Sequence, residues 1–222
     1  MLKPKRKITR KEIKKDPLLE TMDSIEAKFE KNKKTYGNVV ILVFLILIGG
    51  YVFSNKQKQN KIESNSALGV AMMAYSNMDY ENAEFQFESI RSNFGNTSSA
   101  NKASYFLGKI AYKNSDFVNS SLHLNDFLNK SDDDILVCGA IKLLTEISFK
   151  NNDHEGALRN LDKARYYNLS NSLMLDLELM KASTFLNMDD SENGKAILEE
   201  IDNQKDLPSH IKQRIEELYG MI

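Results

Sequence analysis

Hydrophobic positions follow two different patterns along this chain. From Val39 to Phe53 apolar residues succeed one another almost without a break, inside an uncharged window from Thr35 to Ser54. As a helix rising about 1.5 Å per residue, that window spans roughly 30 Å, the thickness of a bilayer's hydrocarbon core. It predicts a transmembrane helix over 35–54. Ahead of it, Asp16-Pro17 forms a good helix start, and Leu18, Met22, Ile25 and Phe29 recur at helical spacing. These predict a short amphipathic helix on the inner leaflet, turning into the bilayer afterwards. A polar linker over 55–63 follows, and beyond it apolar residues return at the three- and four-residue spacing of helices.

The span is not read as a cleaved secretory signal. The region before it is far longer than a signal's basic segment, and FSNKQKQNK supplies no small-residue cleavage site. Twelve lysines and arginines against six acids occupy residues 1–34, whereas only Lys56, Lys58 and Lys61 stand just behind the span. That bias predicts a cytoplasmic N-terminus and a C-terminal domain outside, which in a bacterial inner membrane means the periplasm. Lys28, Lys31, Lys33 and Lys34, next to the span, are the candidate contacts for anionic lipid headgroups. The basic tail lacks interleaved aromatics and any nucleic-acid-binding fold, so lipid is the expected partner and no nucleic acid is expected.

Within the remainder, NMDYENAEFQFESI, NSDFVNSSLHLNDF, NNDHEGALRNLDKA and MDDSENGKAILEEI align, with Asp79, Asp116, Asp153 and Asp190 each 37 residues apart. Four residues past each aspartate stands a small side chain (Ala83, Ser120, Ala157, Gly194), and four further a large one (Phe87, Leu124, Leu161, Leu198). Eight residues before each aspartate is another small one: Ala71, Gly108, Thr145 and Ala182. Paired small residues let two helices approach, large ones fill the groove to the next pair, and the aspartate caps the second helix. Four helix pairs are predicted, at 64–77 with 80–93, 100–113 with 117–129, 134–150 with 154–166, and 172–187 with 191–203. Leu207-Pro208-Ser209 then opens a capping helix whose Ile211, Ile215 and Leu218 share a face.

The columns Tyr80-x-x-Ala83-x-x-x-Phe87 and Leu107-Gly108 leading to Phe117 resemble the tetratricopeptide repeat, slightly longer than its usual 34-residue period. The resemblance implies an all-α fold: one transmembrane helix, then a right-handed α-solenoid of about four helix pairs over 64–222 with its capping helix. The whole layout, with its IKQRIEELY-type terminal helix, is similar to the ancillary subunit family of the SecYEG translocon. That similarity implies partners in the secretion machinery or among periplasmic chaperones, and polypeptide segments as cargo. The other reading is a structural scaffold for an envelope or division complex.

Composition changes this picture in one respect. The formal net charge of -1 hides a split, since residues 64–222 carry 15 cations against 24 acids. In this architecture the first helix of each pair lines a concave groove. The candidate groove residues are Leu68, Met72, Tyr75, Lys102, Tyr105, Lys109, Tyr112, Lys142, Glu146, Phe149, Leu179 and Leu186. Aromatic and Met side chains suit adaptable contact with extended polypeptide, and lysines in an acidic domain suggest an acidic or carboxylate-ended partner. Catalytic signatures are absent. His123, His154 and His210 have no ligand spacing, GKA at Gly194 lacks the upstream glycine of a phosphate loop, and the lone Cys138 reads as a core residue. Asp132, Asp133 and Asp134 read as a helix start rather than a metal site. Neither an enzyme nor a cofactor or metal is expected.

Overall fold

The computed structural model describes residues 17–131 and 133–222. The basic residues 1–15 and Asp16, the expected first N-cap, lie outside the described residues, as does Asp132. The chain divides into two compact units, Met1–Lys58 and Gln59–Ile222.

In the first unit every described residue is helical, within α1, Pro17–Ser76. The turn expected before the span and the linker expected over 55–63 are both part of this helix. Past Pro17 the segment holds no proline, and its Lys, Glu, Gln and Leu residues are good helix formers. Gly37, Gly49 and Gly50 each cost about 1 kcal/mol without breaking it. Among the described residues α1 alone is long and apolar enough to cross a membrane, its best window having a mean hydropathy of 2.2 with none of it buried.

In the second unit the end of α1 is followed by α2 (Tyr80–Asn93), α3 (Ser98–Lys113), α4 (Phe117–Leu128), α5 (Asp134–Lys150) and α6 (His154–Leu161). Then come α7 (Asn171–Asn187), α8 (Ser191–Asp202) and α9 (Ser209–Tyr219). Helix α3 packs on α4, α5 on α6 and α7 on α8, while α3 also meets α5 and α5 meets α7. The terminal α9 lies on α7 and α8, burying Ile211, Ile215 and Leu218. One difference from expectation lies in α6, which stops at Leu161 and tightens into a 3-10 turn, Asp162–Tyr166. That turn carries Ala164 into the core, and beyond it the Tyr167 hydroxyl donates to the Leu128 carbonyl at 3.0 Å.

The repeat's columns do mechanical work. Ala71, Ala83, Ser120, Thr145, Ala157 and Ala182 are fully buried, as are Phe87, Leu124 and Leu198. A methyl group on Gly108 would fall within 2.7 Å of Leu124 Cγ, so this pair closes only over glycine. Each pair turns in three residues. The residue before each aspartate has a left-handed backbone: Met78 (φ 63°), Ser115 (61°), Asn152 (56°) and Asp189 (58°). Its N–H and that of the aspartate reach back to the last turn of the helix, as in Asp79 N–H to Ala74 at 3.0 Å and Asp116 N–H to Ala111 at 2.9 Å. This is a Schellman turn. The same aspartate then caps the next helix, accepting from the N–H groups of Asn82, Asn119, Gly156 and Asn193.

Candidate functional site

The proposed groove residues come from three columns of the first helices, at 11, seven and four residues before each capping aspartate, with Lys102 added. The structure separates them into two kinds. Leu68, Tyr105, Leu179 and Leu186 are 9%, 7%, 3% and 8% exposed, so they serve mainly the core, and of the four Leu179 also borders the cleft described below. Sequence periodicity could not distinguish them, because a position that is open on one helix is covered on the next by the neighbouring pair. Tyr105 is accommodated by Gly139, where a Cβ would stand 2.5 Å from the phenol oxygen, and burial pushes its hydroxyl pKa upward.

The others are polar and aromatic side chains held in separate local contacts. Tyr75 meets Tyr80 and Phe106 edge-on at 5.4 and 5.2 Å, and Lys109 Nζ lies 5.5 Å from the Tyr75 ring and 5.7 Å from that of Tyr105. Such cation–ring contacts contribute roughly 0.5–1 kcal/mol at exposed sites. The Tyr112 hydroxyl donates to Glu146 Oε2 at 2.8 Å, and partial burial together with that carboxylate raises its pKa to about 12. Phe149 leans on His154 at 5.9 Å, and Met72 is 40% exposed.

The lysines correct the charge argument. Lys102 Nζ binds Asp133 at 2.8 Å and Lys142 Nζ binds Asp176 at 3.0 Å, each joining its helix to the next first helix. Lys102 holds the Asp133 carboxyl below its usual pKa, and Asp133 also accepts the Leu136 N–H as the cap of α5. Two of the three cations are therefore matched internally, and only Lys109 has no carboxylate partner among the described residues. The expectation of an acidic partner loses its main support. Lys28, Lys31, Lys33 and Lys34 stand exposed on α1 in the first unit.

Helices α5, α7 and α9 enclose a cleft of about 450 Å³. Phe149, Leu179 and Met180 give it an apolar floor; the Lys142–Asp176 pair, Asn187, His210 and Arg214 give it a polar rim. His210 and Arg214 belong to the capping helix and follow no repeat, so no column could have pointed to them. A second missed feature joins the first two pairs: Arg91 donates to Asp126 at 2.9 Å and contacts His123 Nδ1 at 2.8 Å, while Ser104 reaches Asp126 at 3.3 Å. Among the described residues no group of His, Cys, Asp or Glu could hold a metal ion.

The arrangement is that of an all-helical repeat protein offering a lined surface for binding. A family model described as a tetratricopeptide repeat-like domain matches residues 28–172. The chain belongs to that family, whose domains serve as protein–protein interaction modules. Comparison with curated proteins and with solved structures returned no match. All but the first two residues of the fourth pair lie beyond the match, yet it carries the same capping aspartate, Asp190, and the same buried Leu198.

Proposed function

We propose that the chain is a single-span protein of the bacterial inner membrane whose helix pairs, stacked as a right-handed solenoid over 64–222, bind extended polypeptide on the periplasmic side. Residues 1–34 are the cytoplasmic tail, with Lys28, Lys31, Lys33 and Lys34 at anionic headgroups, and 35–54 form the span. The cleft over Phe149, Leu179 and Met180 is the observation that carries the binding reading. It combines an apolar floor with a rim of matched charge, as suits a mixed-sequence segment better than an acidic tail. The similarity of layout to the ancillary translocon subunits makes the secretion machinery or periplasmic chaperones the source of those segments.

Two experiments test this. A photo-reactive residue at Met180 of the full chain in detergent should cross-link an unfolded polypeptide probe, and one at exposed Leu122 should not; equal labelling would refute the groove. Proximity labelling from the C-terminal domain should mark secretion proteins. Labelling confined to wall or division proteins would instead support a scaffold.

A further inference from the structure

Two junctions between successive helix pairs are built from the same columns. Tyr75 and Tyr112, Tyr80 and Phe117, and Lys113 and Lys150 each stand 37 residues apart. Lys113 Nζ lies 3.8 Å from the centre of the Tyr80 ring, and Lys150 Nζ lies 6.0 and 5.8 Å from those of Tyr112 and Phe117. In the second junction the chain supplies its own carboxylate, since Glu146 accepts from the Tyr112 hydroxyl at 2.8 Å. The residue 37 before Glu146 is Lys109. In the first junction a second lysine thus takes the place of the carboxylate, and it lies 5.5 Å from the Tyr75 ring, which itself meets Tyr80 edge-on.

Lys109 and Lys113 are one turn apart on α3, and like charges at that spacing destabilise a helix. Neither has a carboxylate partner among the described residues. Eight of the 15 cations over 64–222 do form ion pairs, and acids outnumber cations there, so scarcity of carboxylates does not explain the unmatched pair. The rings hold both ammonium groups by attraction to their faces, an interaction that leaves the N–H donors free. Lys113 is exposed and Lys109, Tyr75 and Tyr80 are half-buried, so the site is open to a ligand from outside.

We propose that Tyr75, Tyr80, Lys109 and Lys113 bind a glutamate or aspartate side chain of a polypeptide, its carboxylate matched to the two ammonium groups and to a tyrosine hydroxyl. Two unmatched cations supply the charge complementarity. The Tyr112–Glu146 bond shows which anion these columns accept: a side-chain carboxylate. Lys102 and Lys142, matched by Asp133 and Asp176, have no part in it. The inference rests on the reading of the chain as a polypeptide binder, but its surface on α1, α2 and α3 is separate from the cleft on α5, α7 and α9.

The test mixes the full chain in detergent with a glutamate-rich peptide, blocked at both ends, and a water-soluble carbodiimide, which joins a carboxylate to a touching amine with loss of water. Mass spectrometry locates the amide links, each normalised to that lysine's labelling by a small neutral acylating reagent. Lys113 should link to the peptide about tenfold more than Lys150, whose junction holds Glu146, and than exposed Lys212, which has no ring contact among the described residues. Lys109→Glu, which copies the second junction, should lower linkage at Lys113 about tenfold with the melting temperature unchanged or higher, and Lys109→Met should lower it less. Equal linkage at Lys113, Lys150 and Lys212, or linkage at Lys113 that Lys109→Glu leaves unchanged, overturns the site; cross-linking of an unfolded probe at Met180 would then leave polypeptide binding itself standing. Preferential linkage at Lys113 without cross-linking at Met180 would remove the cleft and keep the site. Suppression of Lys113 linkage by phosphatidylglycerol in the micelles, with no preference over Lys150 in its absence, assigns the lysines to lipid headgroups and overturns the proposal.

Discussion

The four left-handed turn residues offer a graded test of what fixes the repeat. An L-residue in this conformation costs roughly 1–2 kcal/mol relative to the right-handed one, less for Asn and Asp, whose side chains bond locally. Replacement by glycine removes that strain but enlarges the unfolded ensemble, returning about 0.4–1 kcal/mol. Met78 is 73% exposed, so its replacement forfeits little burial. Met78→Gly and Ser115→Gly should therefore stabilise the domain by about 0.5–1 kcal/mol each, with Asp189→Gly giving less and Asn152→Gly close to nothing. For a domain of this size about 1 kcal/mol corresponds to roughly 2–4 °C in melting temperature. Thermal melts of the full chain in detergent would read the shifts, and hydrogen exchange at the Asp79 and Asp116 amides would localise them. Met78→Val, which sets a β-branched residue in the same conformation, should shift the melt downward. Equal gains at all four positions, or a loss at Met78→Gly, would refute the account.

Gly139→Ala should cost about 1–3 kcal/mol by pressing a methyl group on the Tyr105 hydroxyl, with partial rescue by Tyr105→Phe in a double-mutant denaturation cycle. Phe87→Ala should cost about 3–5 kcal/mol, because the ring is fully buried and stacked on Phe106 at 5.2 Å, whereas Phe85→Ala on the exposed side should stay within about 0.5 kcal/mol. Burial and the neighbouring Arg91 guanidinium depress the His123 pKa below its ordinary 6.5. The unfolded chain therefore binds more protons just below pH 6.5, and stability falls as pH drops through that window; His123→Gln should flatten the slope. Asp126 and Asp133, whose pKa values lie below the ordinary 3.8, lose their contribution only in more acid solution.

Much of the helix-pair order was legible because burial and capping recur at one period. The aspartates were identifiable as caps, but the asparagine three residues on was not. Asn82, Asn119 and Asn193 return a side-chain bond to the second carboxylate oxygen of their own cap, at 3.2, 2.6 and 2.7 Å. This second bond holds the Asp116 carboxyl below its usual pKa, together with the backbone bond from the same residue. The third pair has Gly156 there, and Arg159 approaches Asp153 at 3.4 Å instead. The groove was less legible. Which of two neighbouring columns is open depends on how the next pair sits, a contact between residues more than 30 apart, and the pairing of Lys102 with Asp133 and Lys142 with Asp176 is of the same kind.

The constant period itself has a cause in that packing. The turn within each pair is three residues long, and the second helices shorten over the first three pairs, α2 having 14 residues, α4 12 and α6 only eight, before α8 returns to 12. The following connections lengthen in compensation, so that α3, α5 and α7 begin 19, 18 and 18 residues after the preceding cap at Asp79, Asp116 and Asp153. Because α3 meets α5 and α5 meets α7, the first helices must keep one register, while the outer ends of the second helices are free to vary. Insertion of two glycines after Asn168, in the connection after Tyr166, should therefore be tolerated with a small entropic cost of about 0.6 kcal/mol or less. The same insertion between Asn114 and Asp116 would break the Schellman turn and the cap together, and should lower the melting temperature several-fold more. Equal sensitivity at the two sites would show that the register is not carried by the first helices.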